Sequence, residues 1–175
     1  MARHSRWSTC YTSAAGHLHV PDKPNQPEGY NPAMSDVKTL TSGVIALDAE
    51  AIKTFASLFD PQPYHLDQQA ADNSIFGGLC ASGWQVAALS SRLAGEALRE
   101  AGMTYITTTH VDSMRWLRPS FVGDELMARI SLGEQSPGGP VPDANTQDLT
   151  VTVEDGAGHP VAEMHCQVAV AVEGS

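Results

Sequence analysis

Asp60 and His65 stand five residues apart on a turn stiffened by Pro61 and Pro63. Each proline holds its own φ near about −65° and restricts the residue before it, so the backbone between carboxylate and imidazole has few shapes open to it. A rigid pair of this kind can hold a water molecule and accept its proton. Seventeen residues beyond His65 comes Ser82-Gly83, leading into a long apolar stretch. A glycine at the start of a helix can present a backbone N–H to a carbonyl oxygen. A general base, an oriented water and an oxyanion donor are the parts needed to add water across a polarised double bond, or to remove it.

Each residue also has a plainer reading. Asp before Pro is common as a turn cap, and a single histidine is often a satisfied, half-buried side chain. Ser82 can simply cap the helix that follows, and Ser91 can bond back to its own helix. Tyr64 reads as packing and Asp67 as the cap of the next helical piece. Cys80 lies beside the turn, but no activating base stands at a suitable spacing, so it reads as a small buried hydrophobe. Neither His165-Cys166 nor the pair His17 and His19 has the spacing of a zinc site, and no metal or cofactor is expected. It is the combination of Asp60, His65 and Ser82-Gly83 that favours a site.

The elements that must position these residues follow from pattern. Ser42–Leu47 reads as a short strand. Asp48 caps a helix over 49–59, with Ile52, Phe55 and Leu58 at helical spacing. Gln68–Asp72 is a short helical piece, and Phe76-Gly77-Gly78 a loop. The longest helix runs from about Ala81 to Ala101 and ends at Gly102. Val86, Leu89, Leu93, Ala97 and Leu98 line one face, and alanines fill most of the rest, so this helix belongs inside the domain. Strand-like segments follow at 104–117, 125–132, 147–153 and 161–172, with a Pro/Gly-rich loop over 136–145. The economical arrangement for this order is an α+β fold in which a curved antiparallel sheet wraps a buried central helix.

Composition sets the outer bounds. A chain of 175 residues with 42% hydrophobic content supports one domain with a real core. Its net charge of −10 lacks the basic face that nucleic acid requires. No apolar run approaches the ~18 residues of a membrane-spanning helix. The three cysteines, Cys10, Cys80 and Cys166, are odd in number and widely spaced, which suits a reducing, cytoplasmic setting better than a disulfide framework. Residues 1–33 carry Pro21, Pro24, Pro27 and Pro32 without apolar periodicity, and read as a disordered extension ahead of a domain over 34–175. Arg3 and Arg6, with no acidic residue before Asp22, leave a transit peptide as the sharper reading of that segment.

Several motifs in order carry a family resemblance over roughly 37–172. Asp60-Pro-Gln-Pro-Tyr-His65-Leu-Asp67, Phe76-Gly-Gly-Leu79, Ala81-Ser-Gly-Trp84, Arg118-Pro119 and Gly123-Asp-Glu-Leu126 resemble the MaoC-like dehydratase family, whose relatives include (R)-specific enoyl-CoA hydratases. The resemblance implies a hot-dog fold, usually dimeric, acting on acyl-CoA thioesters. It implies Asp60 and His65 as the catalytic pair and the N–H of Gly83 as the oxyanion donor. It further implies that Gln62, Tyr64, Ser82, Trp84 and Ser91 fall along the substrate. Gln62 replaces the family's Asn, and Ser82 replaces the His that precedes its oxyanion Gly. Arg92, Arg115 and Arg118 are the cations available for an anionic CoA arm. A hot-dog thioesterase and a non-catalytic acyl-CoA-binding subunit are the alternatives.

Overall fold

A computed structural model of the chain describes residues 38–172. The expected 1–33 extension, with Cys10, His17 and His19, lies outside the described residues. The described elements are β1 (Thr39–Ala46), α1 (Ala49–Phe59), α2 (Pro63–Leu66), α3 (Gln68–Asp72), α4 (Gly83–Glu100), β2 (Tyr105–Trp116), β3 (Glu125–Ser136), β4 (Ala144–Asp155) and β5 (Pro160–Ala171). The five strands form one antiparallel sheet in the order β1-β3-β4-β5-β2.

Alternation along the strands puts one face on the core. Leu126, Ala128 and Ile130 of β3, Leu149, Val151 and Val153 of β4, and Ala162, Met164, Cys166 and Val168 of β5 are all buried. One row crosses the whole sheet: Leu40 opposite Ile130, Ile130 opposite Val151, Val151 opposite Met164, and Met164 opposite Met114. The intervening residues, Arg129, Thr152, Glu163 and Arg115 among them, form a polar row on the other face. Helix α4 packs on the apolar face through Val86, Leu93, Ala94, Ala97 and Leu98, and touches all five strands. This is the hot-dog architecture, a central helix held in a curved sheet.

Helix ends follow their residues. Asp48 accepts the N–H of Ala51 at 2.8 Å and caps α1. Gly102, at φ +82°, closes α4, and the N–H of Met103 reaches back to Leu98 O at 2.9 Å. That six-to-one bond is the Schellman ending, which needs the left-handed residue glycine supplies.

Three expectations change. Helix α1 buries Ile52 and Ala56, while Leu58 is exposed, so its inner face is rotated from the expected Ile52–Phe55–Leu58 stripe. Strands β3 and β4 extend into the expected loop, because Gln135 pairs with Gln147 and Ser136 with Thr146 in a continuing ladder. Strand β1 begins at Thr39, ahead of Ser42, and bulges between Thr41 and Val44, where the Ser42 hydroxyl accepts the N–H of Ala128.

Candidate active site

Four segments converge. Asp60 ends α1, its N–H bonded to Ala56 O at 3.0 Å. The prolines then turn the chain at once: Gln62 N–H reaches Asp60 O at 2.7 Å, and His65 N–H reaches Gln62 O at 2.9 Å. The single helical turn of α2 thereby carries the buried His65 back under Asp60. The third segment leads into α4. It is pinned to the β2–β3 connection by a bridge between Cys80 and Phe121 and by Ala81 N–H to Ser120 O at 2.8 Å. The fourth is the end of β2, which brings Trp116.

His65 Nδ1 lies 2.7 Å from the carbonyl oxygen of Cys80. A carbonyl can only accept, so Nδ1 carries the proton, and in a neutral ring Nε2 is a bare acceptor. Nε2 faces Asp60 Oδ2 at 3.5 Å. Two acceptors that face each other can share a donor between them, and a water with two protons serves both. The His65 side chain is 7% exposed and that of Asp60 23%, so one partner is fixed in the interior and the other meets solvent.

Ser82 joins this pair to the helix. It is fully buried, donates its hydroxyl to Asp60 Oδ2 at 2.7 Å, and accepts the N–H of Trp84 at 3.1 Å. One serine therefore caps α4 and holds the carboxylate. Gly83 is the first residue of α4, so its N–H has no acceptor within the helix, and among the described residues no loop backbone hydrogen bond uses it.

The remaining residues expected at the site divide. Tyr64 packs edge-on against His65, ring centroids 4.5 Å apart, and against Phe76 at 5.0 Å, which makes it a wall behind the imidazole. Trp84 is 61% exposed beside Gly83. Gln62 is exposed, and its side chain makes no capping bond. Ser91 lies two turns along α4, half-buried, and shares no hydrogen bond with the others among the described residues. Burial pushes the Cys80 thiol up to about 11, against a backbone hydrogen bond that pulls it down, so the sulfur beside His65 is a neutral thiol. Among the described residues no group of His, Cys, Asp and Glu could hold a metal ion.

Trp116 is the residue the sequence did not point to. Its indole N–H donates to Gly83 O at 2.6 Å, and its ring meets that of Trp84 edge-on at 5.2 Å. A groove of about 560 Å³ lies between α1 and α4 and is lined by Phe55, Leu58, Phe59, Gln85 and Leu89, not by the residues expected at the site.

Residues 28–154 match the family model for the MaoC like domain, and the chain belongs to the MaoC-like family. Its fold matches the MaoC-like dehydratase from Rhodospirillum rubrum with a TM-score of 0.66 at 33% identity, over 79% of this chain and 94% of that one. It also shares its fold with the (R)-hydratase from A. caviae involved in PHA biosynthesis: TM-score 0.60 at 24% identity, over 79% of this chain and 98% of that one. The uncharacterized protein YdeM of Bacillus subtilis is 31% identical over 95 residues, which is 53% of this chain and 65% of YdeM. The match thus spans just under two thirds of that relative's length. No helix among the described residues is long and apolar enough to cross a membrane.

Proposed function

We propose that this protein is an acyl-thioester hydratase or dehydratase: it adds water to a trans-2-enoyl-CoA, or removes water from a 3-hydroxyacyl-CoA. The observation that carries this reading is the pair of facing acceptors, Asp60 Oδ2 and His65 Nε2, at 3.5 Å. A water bridging them points its lone pairs outward. The β-carbon of an enoyl thioester is weakly electrophilic until charge is drawn onto the thioester oxygen. The N–H of Gly83 supplies that pull, helped by the partial positive charge at the start of α4. As the water oxygen bonds to the β-carbon, one of its protons passes to the Asp60–His65 pair. The enolate formed on the thioester oxygen then collapses and takes a proton from the pair at the α-carbon. The sum is one water added, and the reverse sequence removes it. General acid–base transfer of this kind contributes roughly 10²–10⁴-fold in rate.

The CoA arm would run over the surface by Arg118. That guanidinium is exposed, whereas Arg92 pairs with Glu96 at 2.8 Å and Arg115 stands 3.9 Å from Glu163. We place the protein in a homodimer. Strand β2 is a sheet edge that shows Ile106, Val111 and Trp116 at 45%, 48% and 44% exposure, and a bare apolar edge is normally covered.

The test is the absorbance of the enoyl-thioester band with crotonyl-CoA and a longer enoyl-CoA. Wild-type protein should bleach it, and Asp60→Asn and His65→Ala should not. Release of free thiol instead would point to a thioesterase. Binding of CoA esters without turnover on any chain length would point to a non-catalytic subunit.

A further inference from the structure

A glycine that opens a helix has no Cβ to limit its backbone, so the peptides on either side of it can rock. A rocking N–H makes a poor oxyanion donor, because a hydrogen bond weakens steeply as its angle opens. The Gly83 N–H belongs to the Ser82–Gly83 peptide, whose carbonyl accepts the Val86 N–H at 3.1 Å, and on the other side of the glycine the Gly83–Trp84 peptide is held at both ends. Its carbonyl accepts the Trp116 indole N–H at 2.6 Å, and its N–H donates to Ser82 Oγ at 3.1 Å. Ser82 is itself tied to Asp60 at 2.7 Å. A carbonyl has two lone pairs, so the indole can take one without competing with the helix ladder for the other.

The indole also explains why residue 83 is glycine. A Cβ placed there would meet Trp116 Nε1 at 2.9 Å and Cε2 at 3.0 Å. Those atoms belong to a rigid ring, and Trp84 stands against it, so the ring cannot give way as the tip of a flexible chain would. The missing side chain makes room for an indole beside the backbone.

We propose that Trp116 is a positioning residue, whose indole N–H clamps the Gly83–Trp84 peptide and, with the Ser82–Gly83 peptide held through Ser82 O, fixes the glycine's dihedral angles and keeps the Gly83 N–H aimed at the thioester oxygen. The inference rests on the hydratase reading of the Asp60–His65–Gly83 site. It adds a residue from the edge strand β2 to a site otherwise built by the segments between β1 and α4. Because the indole is neutral, it fixes geometry without adding charge beside Asp60.

Trp116→Phe keeps an aromatic ring and removes the N–H. In nuclear magnetic resonance of the full chain, the indole N–H signal missing from this variant belongs to Trp116. It should exchange with solvent more slowly than that of the exposed Trp84, and equal exchange rates would overturn the clamp without any substrate being present. In enoyl-thioester turnover, Trp116→Phe should lower kcat about tenfold, the scale of one lost hydrogen bond, with KM within about twofold and an unchanged unfolding midpoint. A wild-type kcat, a change in KM alone, or a loss of kcat that tracks a lower unfolding midpoint would each overturn the proposal. Asp60→Asn is run in the same assay to separate the two readings. If Asp60→Asn is dead and Trp116→Phe is normal, the hydratase site stands and the clamp falls. If Asp60→Asn turns over normally, the site reading falls and takes the positioning role with it.

Discussion

Asp60 and His65 stand 3.5 Å apart, and at the hairpin joining β4 to β5 Asp155 and His159 stand 3.2 Å apart. By distance the second pair is the tighter, and its residues are four apart in sequence rather than five. What separates the pairs is where their partners come from. Asp155 Oδ1 accepts the N–H groups of Ala157 and His159, both at 2.9 Å, and Oδ2 faces the His159 ring. Three of a carboxylate's roughly four acceptor positions are thereby taken within its own turn. Asp60 draws Ser82 from 22 residues away, and His65 is anchored on Cys80 from 15 residues away. A carboxylate satisfied by its own loop holds that loop. A carboxylate held by distant side chains, beside an imidazole whose proton is fixed on the far nitrogen, retains capacity for a water.

The sharpest way to break this contrast is to neutralise each carboxylate in turn. Asp60→Asn should cut enoyl-thioester turnover by roughly 10²–10⁴-fold, the range of a lost general base. Asp155→Asn should leave turnover within about twofold. Comparable losses in the two variants, measured as kcat/KM in one assay, would mean that partner origin does not mark the site.

Ser82→Ala strikes the tether alone. It removes the donor to Asp60 and the cap of α4, which is worth about 1 kcal/mol of stability. Turnover should fall about tenfold beyond whatever the stability loss explains, because the carboxylate loses the hydrogen bond that orients it. Ser82→Thr, which keeps a hydroxyl, should recover most of it. Full activity in Ser82→Ala would reduce Ser82 to a cap.

Much of this contrast was legible from residue types. Pro61 and Pro63 announced the turn and Gly102 the end of α4, because each is a local backbone constraint. Asp60, His65 and Ser82-Gly83 were readable as a set because their types suit one chemistry, and the structure brings all four together. Trp116 was not readable. Its bond to Gly83 spans 33 residues, and the reason for a glycine there appears only when the ring is seen in the space a side chain would need. The ends of β3 and β4 were missed for a related reason. Polar residues with glycine and proline nearby look like loop, but cross-strand pairing outweighs local preference. Leu58 shows the converse: helical spacing gave a stripe, while the packing partners of α1 chose Ile52 and Ala56 instead.

The sulfur beside His65 gives a smaller effect, in stability. Burial raises the Cys80 thiol from 9.0 to about 11, and burial, with Asp112 and Asp148 adding to it, does the same for Cys166. A thiol whose folded value lies above its unfolded one contributes stability that is complete below about pH 9 and is lost as pH rises toward 11. The urea midpoint should therefore decline across that window, and less steeply in Cys80→Ala. Both thiols should resist alkylation at neutral pH until the protein unfolds.

The smallest effect belongs to the hairpin and has the opposite sign. Burial pushes the Asp155 carboxyl up, but the backbone N–H groups of His159 and Ala157 and the His159 ring together outweigh it and hold the group below its ordinary value of 3.8. A depressed folded value means that stability is present above the unfolded value and lost as pH falls through the lower one. Acid unfolding of the wild type should thus include a component below about pH 4 that is missing from Asp155→Asn. At neutral pH that variant should lose under about 1 kcal/mol, because the pair sits near the surface, where solvent screens it. If the acid component persists in Asp155→Asn, the carboxylate is not what the turn's amides hold. The two Asp–His pairs would then differ in burial alone, and the inference from partner origin would lose its control.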